Sequence, residues 1–462
     1  MIAAAAPPGR VHVVGAGLAG LAASVTLAEA GHAVILYESG PQAGGRCRSF
    51  VDAELGVRID NGNHLLLSGN AAASAYIERI GALDTFESPG ERPAEAAIPF
   101  IDIQTGEHWA LRPGTGPVPW WVMCAGRRVP GTRARDYLEA LRLWRAAPGD
   151  TVAAVLRPDS VLFQRLWEPL TVAALNTGAA DASARLFWRV LVETIGRGAA
   201  ACRPMLAREG LSESLIDPAL ALLSRRGAQI RFGSRLRALG FADGRVAELL
   251  FDDNALALRP EDSVILAVSA AIAARIVPGL IVPDDYAPIV NAHFRCTLNT
   301  SGPPDGPWRA PRFAGIIGGT AEWVFQKREV LSVTVSAADP IVARPADELR
   351  ETLWRDLTLA FGLLPGPAPP ARIVKERRAT FRATPAQLAR RPAAATAWSN
   401  LHLAGDYVDT GLPATIEGAI RSGFAAAARV RERRGRAPAA NTGSAPTIQT
   451  PHPIEDCQRA LP

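Results

Sequence analysis

Lysine is almost absent from this chain. Of its 462 residues only Lys327 and Lys375 are lysines, so nearly all of the 50 basic residues are arginines, set against 45 acidic residues. This bias, together with abundant alanine, is typical of a GC-rich coding sequence, and we do not take the net charge of +5 as a sign of nucleic-acid binding. Helix-turn-helix, zinc-finger and RNA-binding signatures are also lacking, so no nucleic-acid partner is expected.

Cysteine is scarce as well. The five cysteines are scattered, odd in number and free of C-x-x-C pairs, which predicts a reducing compartment and no metal site. The N-terminal segment has neither a basic leader nor a long apolar core, and the longest apolar run, 264–274, is too short to span a bilayer. We therefore expect a cytoplasmic protein, and contact with the inner face of the cytoplasmic membrane stays open.

What the chain does contain is a dinucleotide-binding pattern near its start. Residues 10–46 read as strand, glycine turn, helix, strand and second glycine turn. In the G-x-G-x-x-G motif, Gly15 permits a tight turn, Gly17 lets the backbone approach a pyrophosphate, and Gly20 lets the helix pack closely on the sheet. Leu18 and Ala19, inside the motif, belong to the same predicted site. The alternative is that the glycines serve only a tight turn.

An acid and a second pair of glycines indicate which nucleotide is bound. Glu38 ends the second predicted strand, 18 residues after Gly20, where a carboxylate accepts hydrogen bonds from the adenosine ribose and disfavours the 2′-phosphate of NADP. Gly44, Gly45 and Arg46 follow, and the arginine places a cation near the pyrophosphate, which favours FAD over NAD. This E-x5-G-G-R pattern resembles that of FAD-dependent amine oxidases and phytoene-desaturase-like enzymes.

A second pattern, near the C terminus, resembles the other FAD signature of that superfamily. A predicted strand, 401–404, ends at Gly405 and Asp406, and we expect Asp406 to hydrogen-bond the flavin ribitol or the pyrophosphate. Thr415 and Ile416 begin a predicted helix, 416–430, whose N-terminus would stabilise negative charge on a reduced flavin. The resemblance also implies that backbone near Leu236 contacts the adenine.

The superfamily resemblance implies an α/β fold with a discontinuous domain organisation. It consists of a Rossmann-like FAD-binding domain and an α+β substrate domain with a helical insertion, as in amine oxidases. We expect the FAD-binding domain to comprise residues 10–66, 212–275 and 395–432, and the substrate-binding domain to comprise residues 67–211 and 276–394. Residues 433–462, rich in Ala, Pro, Thr and Ser, are predicted to be a disordered tail.

Three polar residues are candidates for catalysis. Asp60 and His64 lie in the turn DNGNH, which the resemblance places beside the flavin ring, and Glu168 lies on an apolar helix predicted over 166–177. One alternative is that Asp60 and His64 only hydrogen-bond the backbone of their own loop. For the helix, the alternative is an ordinary place in the core.

Residues 117–145 combine aromatic and basic side chains. Trp120, Trp121 and Met123 are followed by six arginines, which two acids reduce to a local charge of +4. Aromatic residues beside basic ones suit the interface of an anionic membrane. The alternative is a solvated basic face whose tryptophans belong to the core.

Four segments point to a narrower family. DNGNHLLLSGN, LWEPLTVAALNT, KERRATFRATP and LAGDYVDTGLPATIEGAIRSG closely resemble bacterial hydroxysqualene dehydroxylases, and the resemblance covers residues 10–432. Asn63, where that family more often has glutamine, and Tyr407, more often tryptophan, depart from its pattern. The resemblance implies that hydroxysqualene and reduced FAD give squalene, FAD and water, in squalene and hopanoid biosynthesis. It also implies a long isoprenoid substrate, with upstream enzymes of the squalene pathway as partners.

Three other functions stay open on the sequence. A carotenoid or isoprenoid desaturase would use the same scaffold on a similar substrate. An amine oxidase typically carries a lysine on a substrate-domain strand, where residues 288–296 here offer Asn291 and His293. A non-catalytic lipid escort of this fold would have lost its flavin-binding residues, whereas the glycine motif, Glu38 and Asp406 are all present.

Overall fold

The structure is a computed structural model, and it describes residues 9–88, 96–296, 298 and 312–435. The predicted tail lies outside the described residues except for 433–435, which belong to the last helix. Twenty strands are described: β1 (Arg10–Val14), β2 (Ala33–Tyr37), β3 (Ser49–Val51), β4 (Arg58–Asp60), β5 (Leu66–Leu67), β6 (Phe86–Glu87), β7 (Ile98–Asp102), β8 (His108–Leu111), β9 (Pro204–Ala207), β10 (Gln229–Arg231), β11 (Leu236–Ala242), β12 (Arg245–Phe251), β13 (Ala255–Ala257), β14 (Ser263–Leu266), β15 (Tyr286–Arg295), β16 (Phe313–Ile317), β17 (Trp323–Lys327), β18 (Val330–Val335), β19 (Ala371–Phe381) and β20 (Leu401–Leu403).

The helices within the described ranges are mostly short. They are α1 (Leu18–Glu29), α2 (Ala71–Arg79), α3 (Val152–Val155), α4 (Glu168–Leu175), α5 (Ala184–Glu193), α6 (Asp217–Arg225), α7 (Ala270–Ile276), α8 (Ala346–Phe361), α9 (Pro385–Leu388) and α10 (Ile416–Gly435). One long 3₁₀ segment covers Ala134–Arg145, and π-helical turns precede α4 and α6. In the part of the chain that the structure describes, every helix falls short of what a bilayer crossing would require.

A five-stranded parallel sheet, in the order β10-β2-β1-β14-β20, is assembled from four distant stretches of the chain. Its inner strands are mostly apolar and buried, β2 as AVILY and β14 as SVIL, as expected for a parallel sheet that is covered on both faces. Val14 pairs with Tyr37 on one side and Leu266 on the other, and Leu266 pairs with Leu403. The carboxyl ends of four strands therefore meet at one edge, where open α/β sheets bind their ligands.

Two helices reach that edge because small residues let them approach closely. A Cβ atom on Gly423 of α10 would lie 2.2 Å from the carbonyl oxygen of Ala19 in α1. A Cβ atom on Gly20 would lie 1.9 Å from the carbonyl oxygen of Gly15. Both contacts exclude any side chain, so these glycines set the distance between α1, α10 and the sheet.

A mixed seven-stranded sheet, in the order β19-β15-β18-β17-β16-β7-β8, forms the second unit of the fold. Its outer strands β7 and β8 come from residues 98–111, so the segment 67–211 is not only a helical insertion. The pairing register aligns Asn291, Thr334, Trp323, Gly315 and Phe100 in one row across the sheet. Because paired residues project on the same face, this row forms a continuous surface.

The face that carries this row is covered by the helical part of residues 120–195. T-shaped ring contacts run through that layer from Trp121 to Tyr137, Trp167 and Phe187. The opposite face is covered by α8, whose Leu349, Leu353 and Leu357 are fully buried. The side chains of this row therefore face the helical layer.

Candidate active site

The glycine motif forms an open cradle at the edge of the parallel sheet. Gly15 has φ +105°, and a Cβ atom there would lie 2.4 Å from the carbonyl oxygen of Ala267, at the end of β14. Gly17 differs, because a Cβ atom there would meet nothing within 4 Å. Helix α1 begins directly after Gly17 with no side-chain cap and no acid in its first turn. Uncapped N–H groups beside empty space fit a pyrophosphate. Leu18 and Ala19, both buried, contribute the first N–H groups of this helix.

Glu38 ties the end of β2 to the glycine loop. Its two carboxylate oxygens accept hydrogen bonds from the backbone N–H groups of Ala16, at 2.9 Å, and Gly40, at 2.8 Å. The segment that leads to Leu236 is held beside it, since the N–H of Ser234 donates to the carbonyl oxygen of Glu38 at 2.8 Å. The predicted ribose ligand and the predicted adenine contact thus lie in one region.

Arg46 joins the two predicted FAD motifs, which are far apart in sequence. Gly44 (φ +108°) and Gly45 (φ +56°) turn the chain beside Gly17, and Arg46 then forms an ion pair with Asp406 at 2.8 Å. The same guanidinium donates to the carbonyl oxygen of Ala379. The Asp406 carboxylate raises the pKa of Arg46 above its ordinary value, so the arginine remains a cation at the open edge.

The C-terminal motif, 405–416, is held by hydrogen bonds to three side chains, those of Ser422, Thr415 and Arg391. The N–H of Gly405 (φ +147°) donates to Ser422 Oγ of α10 at 2.8 Å. Thr415 caps α10, accepting from the N–H of Gly418 at 3.1 Å, and Ile416 is buried at the first turn. The buried Arg391 donates to the carbonyl oxygens of Val408 and Leu412, both at 2.6 Å. The basic segment 375–392 therefore reaches this edge and shapes the loop before α10.

Asp60 lies in a closed network. Its Oδ1 accepts from Ser49 Oγ at 2.6 Å and from the N–H of Leu211 at 2.9 Å, and its Oδ2 pairs with Lys327 Nζ at 2.5 Å. Burial raises the pKa of Asp60, but the Lys327 charge and the hydrogen bonds outweigh it and hold the pKa below its ordinary value. None of these partners is the backbone of residues 61–64, so the carboxylate joins three elements rather than its own loop.

His64 is half-buried, with Nε2 3.8 Å from the Sγ of Cys47. Burial lowers the pKa of His64 to about 4 and raises the pKa of Cys47 to about 12. Both side chains are therefore neutral at physiological pH. One residue earlier, Asn63 Nδ2 donates to Thr334 Oγ1 at 3.1 Å, and Thr334 donates to Asn291 Oδ1 at 2.7 Å. The loop is thus fastened to the row that crosses the seven-stranded sheet.

A cavity of about 290 Å³ continues along that row. Strands β7, β16 and β17 form its floor, and α4 with the preceding turn forms its wall; the lining residues are Phe100, Gln164, Glu168, Pro169, Val172, Gly315, Ile316, Ile317, Gly318, Glu322 and Trp323. Glu168 lies on the exposed rim. Glu322 is half-buried against the strands, where its Oε2 accepts from the N–H of Ser336 at 2.7 Å. Burial raises the pKa of Glu322 to about 8, so this carboxyl carries a proton at neutral pH.

Sequence reasoning missed two members of this site. Glu322 belongs to no motif, and the only signal for it is a single acid before the apolar strand WVFQK. Lys327 ends that same strand. Because the chain has only two lysines, the presence of a lysine at this position is itself a signal that could have identified it. Of the three catalytic candidates, Asp60 and His64 lie at the two ends of the turn 60–64, which is the loop that follows Arg46 and the hairpin β3–β4. Glu168 lies on the rim of the cavity wall.

The fold and the cradle define a class of protein, a flavin-dependent oxidoreductase. The chain belongs to the family described as flavin containing amine oxidoreductase, whose family model matches residues 18–431. A solved structure with the same fold is cyclohexylamine oxidase from Brevibacterium oxydans, with a TM-score of 0.65 and 16% identity over 93% of this chain and 100% of that one. The expected amine oxidase-like α/β fold is thereby confirmed, and FAD is the cofactor.

Within this class the chain belongs with the hydroxysqualene dehydroxylases. It is 45% identical to hydroxysqualene dehydroxylase from Sinorhizobium fredii, over 91% of this chain and 98% of the relative. It is 46% identical to the enzyme of the same name from Rhodopseudomonas palustris, over 90% and 97% of the two chains. A probable zeta-carotene desaturase from Synechococcus elongatus is more distant, with 28% identity over 51% of this chain and 52% of the relative.

The Glu38→Ala variant is expected to bind FAD about 10- to 100-fold more weakly, since a hydrogen bond to a charged group contributes about 1.5–3 kcal/mol. His64→Ala is expected to slow turnover more than it changes FAD content, because the polar contact of the ring is with Cys47, outside the glycine motif 15–20. Flavin titration of the apoprotein and steady-state rates measure the two effects separately. Equal loss of flavin from both variants would show that His64 is structural.

Proposed function

We propose that this protein catalyses the FAD-dependent reductive dehydroxylation of hydroxysqualene to squalene. The observation that carries the proposal is the similarity to two enzymes of that name over at least 90% of each chain. The cavity beside the loop after Arg46 supports it, because most of its lining is apolar and suits an isoprenoid hydrocarbon.

In this reaction the allylic hydroxyl is protonated, its C–O bond breaks, and water leaves with the bonding electron pair. A hydride then forms the new C–H bond, and reduced FAD, when bound, supplies that hydride and is oxidised. The apolar walls around Phe100, Val172 and Trp323 keep water from recapturing the carbocation. The chain must provide one further component, an acid that holds a proton at neutral pH.

We propose Glu322 as this general acid. Its raised pKa keeps the carboxyl protonated, and it immediately precedes Trp323, which pairs with the Thr334 that holds Asn63. The other candidates are less suited to donating a proton. Asp60 is ionised beside Lys327, and we propose that it fixes the loop rather than reacting. His64 is neutral and shapes the loop, and Glu168 is exposed at the rim, where it orients the entering substrate.

The binding roles of the FAD motifs are part of the same proposal. Gly17 and the N-terminus of α1 would hold the pyrophosphate, Glu38 would accept from the adenosine ribose, and backbone near Leu236 would contact the adenine. Arg46 and Asp406 would hold the part of FAD next to the flavin, and the N-terminus of α10 at Thr415 and Ile416 would stabilise negative charge on the reduced ring. The domain limits given above follow this division, with the parallel sheet on the FAD side and the seven-stranded sheet on the substrate side.

We also propose that the protein works in the cytoplasm, at the inner face of the cytoplasmic membrane. A long isoprenoid alcohol partitions into lipid, so an enzyme that takes it up gains from contact with a bilayer surface. Upstream enzymes of the squalene pathway, which release this substrate, are the expected protein partners.

Purified protein reduced under anaerobic conditions is expected to convert hydroxysqualene to squalene, with one flavin oxidised for each molecule formed. Product analysis by mass spectrometry and the flavin absorbance measure the two sides of this balance. Oxidised enzyme supplied with phytoene or squalene serves as the control. Dehydrogenation of either hydrocarbon, with no reaction of the alcohol, would show instead that the protein is a desaturase.

A further inference from the structure

One surface of the helical layer exposes large apolar side chains in a group. We call it the tryptophan patch, and its members are Trp120, Met123, Leu138, Leu141 and Trp144. Trp120 is 72% exposed and Trp144 66%, although tryptophan is usually well buried. Exposed apolar side chains concentrated in this way mark a contact with another apolar phase or partner.

The helix geometry turns these side chains outward together. Residues 134–145 form a 3₁₀ helix, in which three residues make one turn, so Leu138, Leu141 and Trp144 lie in a single line. The neighbouring line contains Tyr137 and Leu143, which are buried in the core of the helical layer. The segment therefore has two apolar lines: the one with Tyr137 and Leu143 packs in the core, and the one with Leu138, Leu141 and Trp144 faces solvent.

The two tryptophans at positions 120 and 121 show the same division. Trp121 is buried and packs edge-on against Tyr137, with ring centroids 5.5 Å apart. That contact anchors the turn, in which Trp120 and Met123 stay exposed. Both stretches of the patch are thus held by buried aromatic side chains of the helical layer, Trp121 and Tyr137.

Arginines flank the patch, and the nearby acids are engaged elsewhere. Arg127, Arg142 and Arg145 are exposed, and none of them forms an ion pair with any residue that the structure describes. Glu139 is buried, with its carboxylate bonded to Trp167 Nε1 at 3.2 Å and to Arg157 Nε at 3.1 Å. The second acid, Asp136, accepts from the N–H of Arg133 at 2.7 Å. Because six arginines face only these two acids, segment 117–145 keeps a net charge of +4 around the patch.

We propose that the tryptophan patch docks on the surface of an anionic lipid bilayer. Tryptophan and leucine enter the interface while flanking arginines meet acidic headgroups, which is the complement that such a membrane offers. This deepens the proposed membrane contact by naming its surface and lipid chemistry, and it does not depend on which isoprenoid is converted.

The patch is also joined to the wall of the cavity. Glu139, behind the patch, bonds Trp167 in the turn that leads into α4, and Arg165 of that turn donates to the carbonyl oxygen of Pro130 at 3.3 Å. Docking would therefore bring the helical layer that carries this wall to the membrane surface. A hydrocarbon substrate could then enter from lipid without crossing water.

The test is vesicle binding by the FAD-loaded full chain without substrate. The protein is expected to co-sediment with phosphatidylglycerol-containing vesicles, and weakly with pure phosphatidylcholine vesicles. Trp120→Ser combined with Trp144→Ser should weaken binding about 100-fold or more, since each buried apolar side chain contributes about 1.5–3 kcal/mol. Arg142→Gln combined with Arg145→Gln should weaken it about 25-fold, because each basic residue near such a surface contributes about 1 kcal/mol.

Matched variants outside the patch provide the control. Leu364→Ser combined with Ile281→Ser removes two exposed apolar side chains, and Arg225→Gln combined with Arg226→Gln removes two exposed charges. Both are expected to bind vesicles like the unaltered protein. Equal binding by the patch variants, or equal binding to both vesicle types, would overturn the proposal. So would a fall in sedimentation coefficient on loss of the patch tryptophans, which would show that a second copy of the chain covers the patch.

Failure here is separable from failure of the proposed reaction. Patch variants are expected to keep their FAD and their rate on detergent-dispersed hydroxysqualene, because none of the altered residues lines the cavity or the cradle. Loss of vesicle binding at an unchanged rate would support the docking surface. A rate on dispersed substrate that falls in parallel with vesicle binding would assign these residues to the folded state and overturn it.

Discussion

A Gly17→Ala variant is expected to fold like the unaltered protein and to carry almost no FAD. Its Cβ atom would meet no protein atom within 4 Å, and the residue has φ −73° and ψ 176°, an extended conformation that alanine adopts readily. The added methyl group would instead occupy the space in which backbone and pyrophosphate approach each other. Losing one or two hydrogen bonds to the phosphates should weaken FAD binding about 100-fold, at about 1.5–3 kcal/mol for each bond.

Flavin absorbance per protein measures the FAD content, and thermal unfolding of the apoprotein measures whether the fold is retained. Gly149→Ala provides a control, because a Cβ atom there also meets nothing within 4 Å and the position lies in a turn before α3, outside the segments assigned to FAD. Gly20→Ala is the opposite case, since its Cβ atom would lie 1.9 Å from the carbonyl oxygen of Gly15, and it should lose the fold as well as the flavin. Full FAD occupancy in Gly17→Ala would mean that the pyrophosphate does not approach this glycine.

The second large effect is expected for Glu322→Gln, which should retain FAD while its dehydroxylation rate falls about 10²- to 10⁴-fold, the usual contribution of a general acid. Glutamine keeps the size of the side chain and an oxygen that can accept from the N–H of Ser336. The variant removes only the transferable proton. Single-turnover oxidation of the reduced flavin by hydroxysqualene isolates this step. Glu168→Gln is the matched control, and a larger loss of rate in that variant would move the acid to the rim of the cavity.

The dependence on pH gives this prediction a second readout. Because burial raises the pKa of Glu322 to about 8, the rate should be level below that pH and fall as the pH rises through it. Stability should change over a wider window. Between the ordinary value of 4.5 and about 8 the unfolded chain has lost this proton and the folded chain retains it, so the free energy of unfolding falls as pH rises. Glu322→Gln should lack both dependences, and a variant that kept the same limb in its rate profile would contradict the assignment.

The residues predicted from sequence are those whose chemistry depends on local spacing. Gly15, Gly17 and Gly20 are meaningful because a strand precedes them and a helix follows, and Glu38 because it ends the next strand. Such units form from neighbouring residues, and parallel strands bring their carboxyl ends to one edge whatever lies between them. The same logic indicated Gly405 and Asp406. The ends of the helices do not follow from local spacing: the helix expected over 166–177 is a π-helical turn followed by α4, Glu168–Leu175.

Other features depend on residues that the chain brings together from far apart. Nothing near Asp60 in sequence indicates Lys327, yet their ion pair decides that the carboxylate is ionised. Glu322 acquires its raised pKa only from the strands and helix that exclude water around it. The tryptophans at 120 and 121 are equivalent in sequence, and only packing against Tyr137 separates the buried ring from the exposed one.

The sequence by itself therefore determined the cofactor, the class of fold and the family, because these rest on short motifs whose spacing is local. The tertiary structure decided which carboxyl group holds a proton, how the loop after Arg46 is fastened to the sheet, and which aromatic side chains face outward. Those properties arise from burial and from contacts between distant segments, and neither is encoded in the order of neighbouring residues.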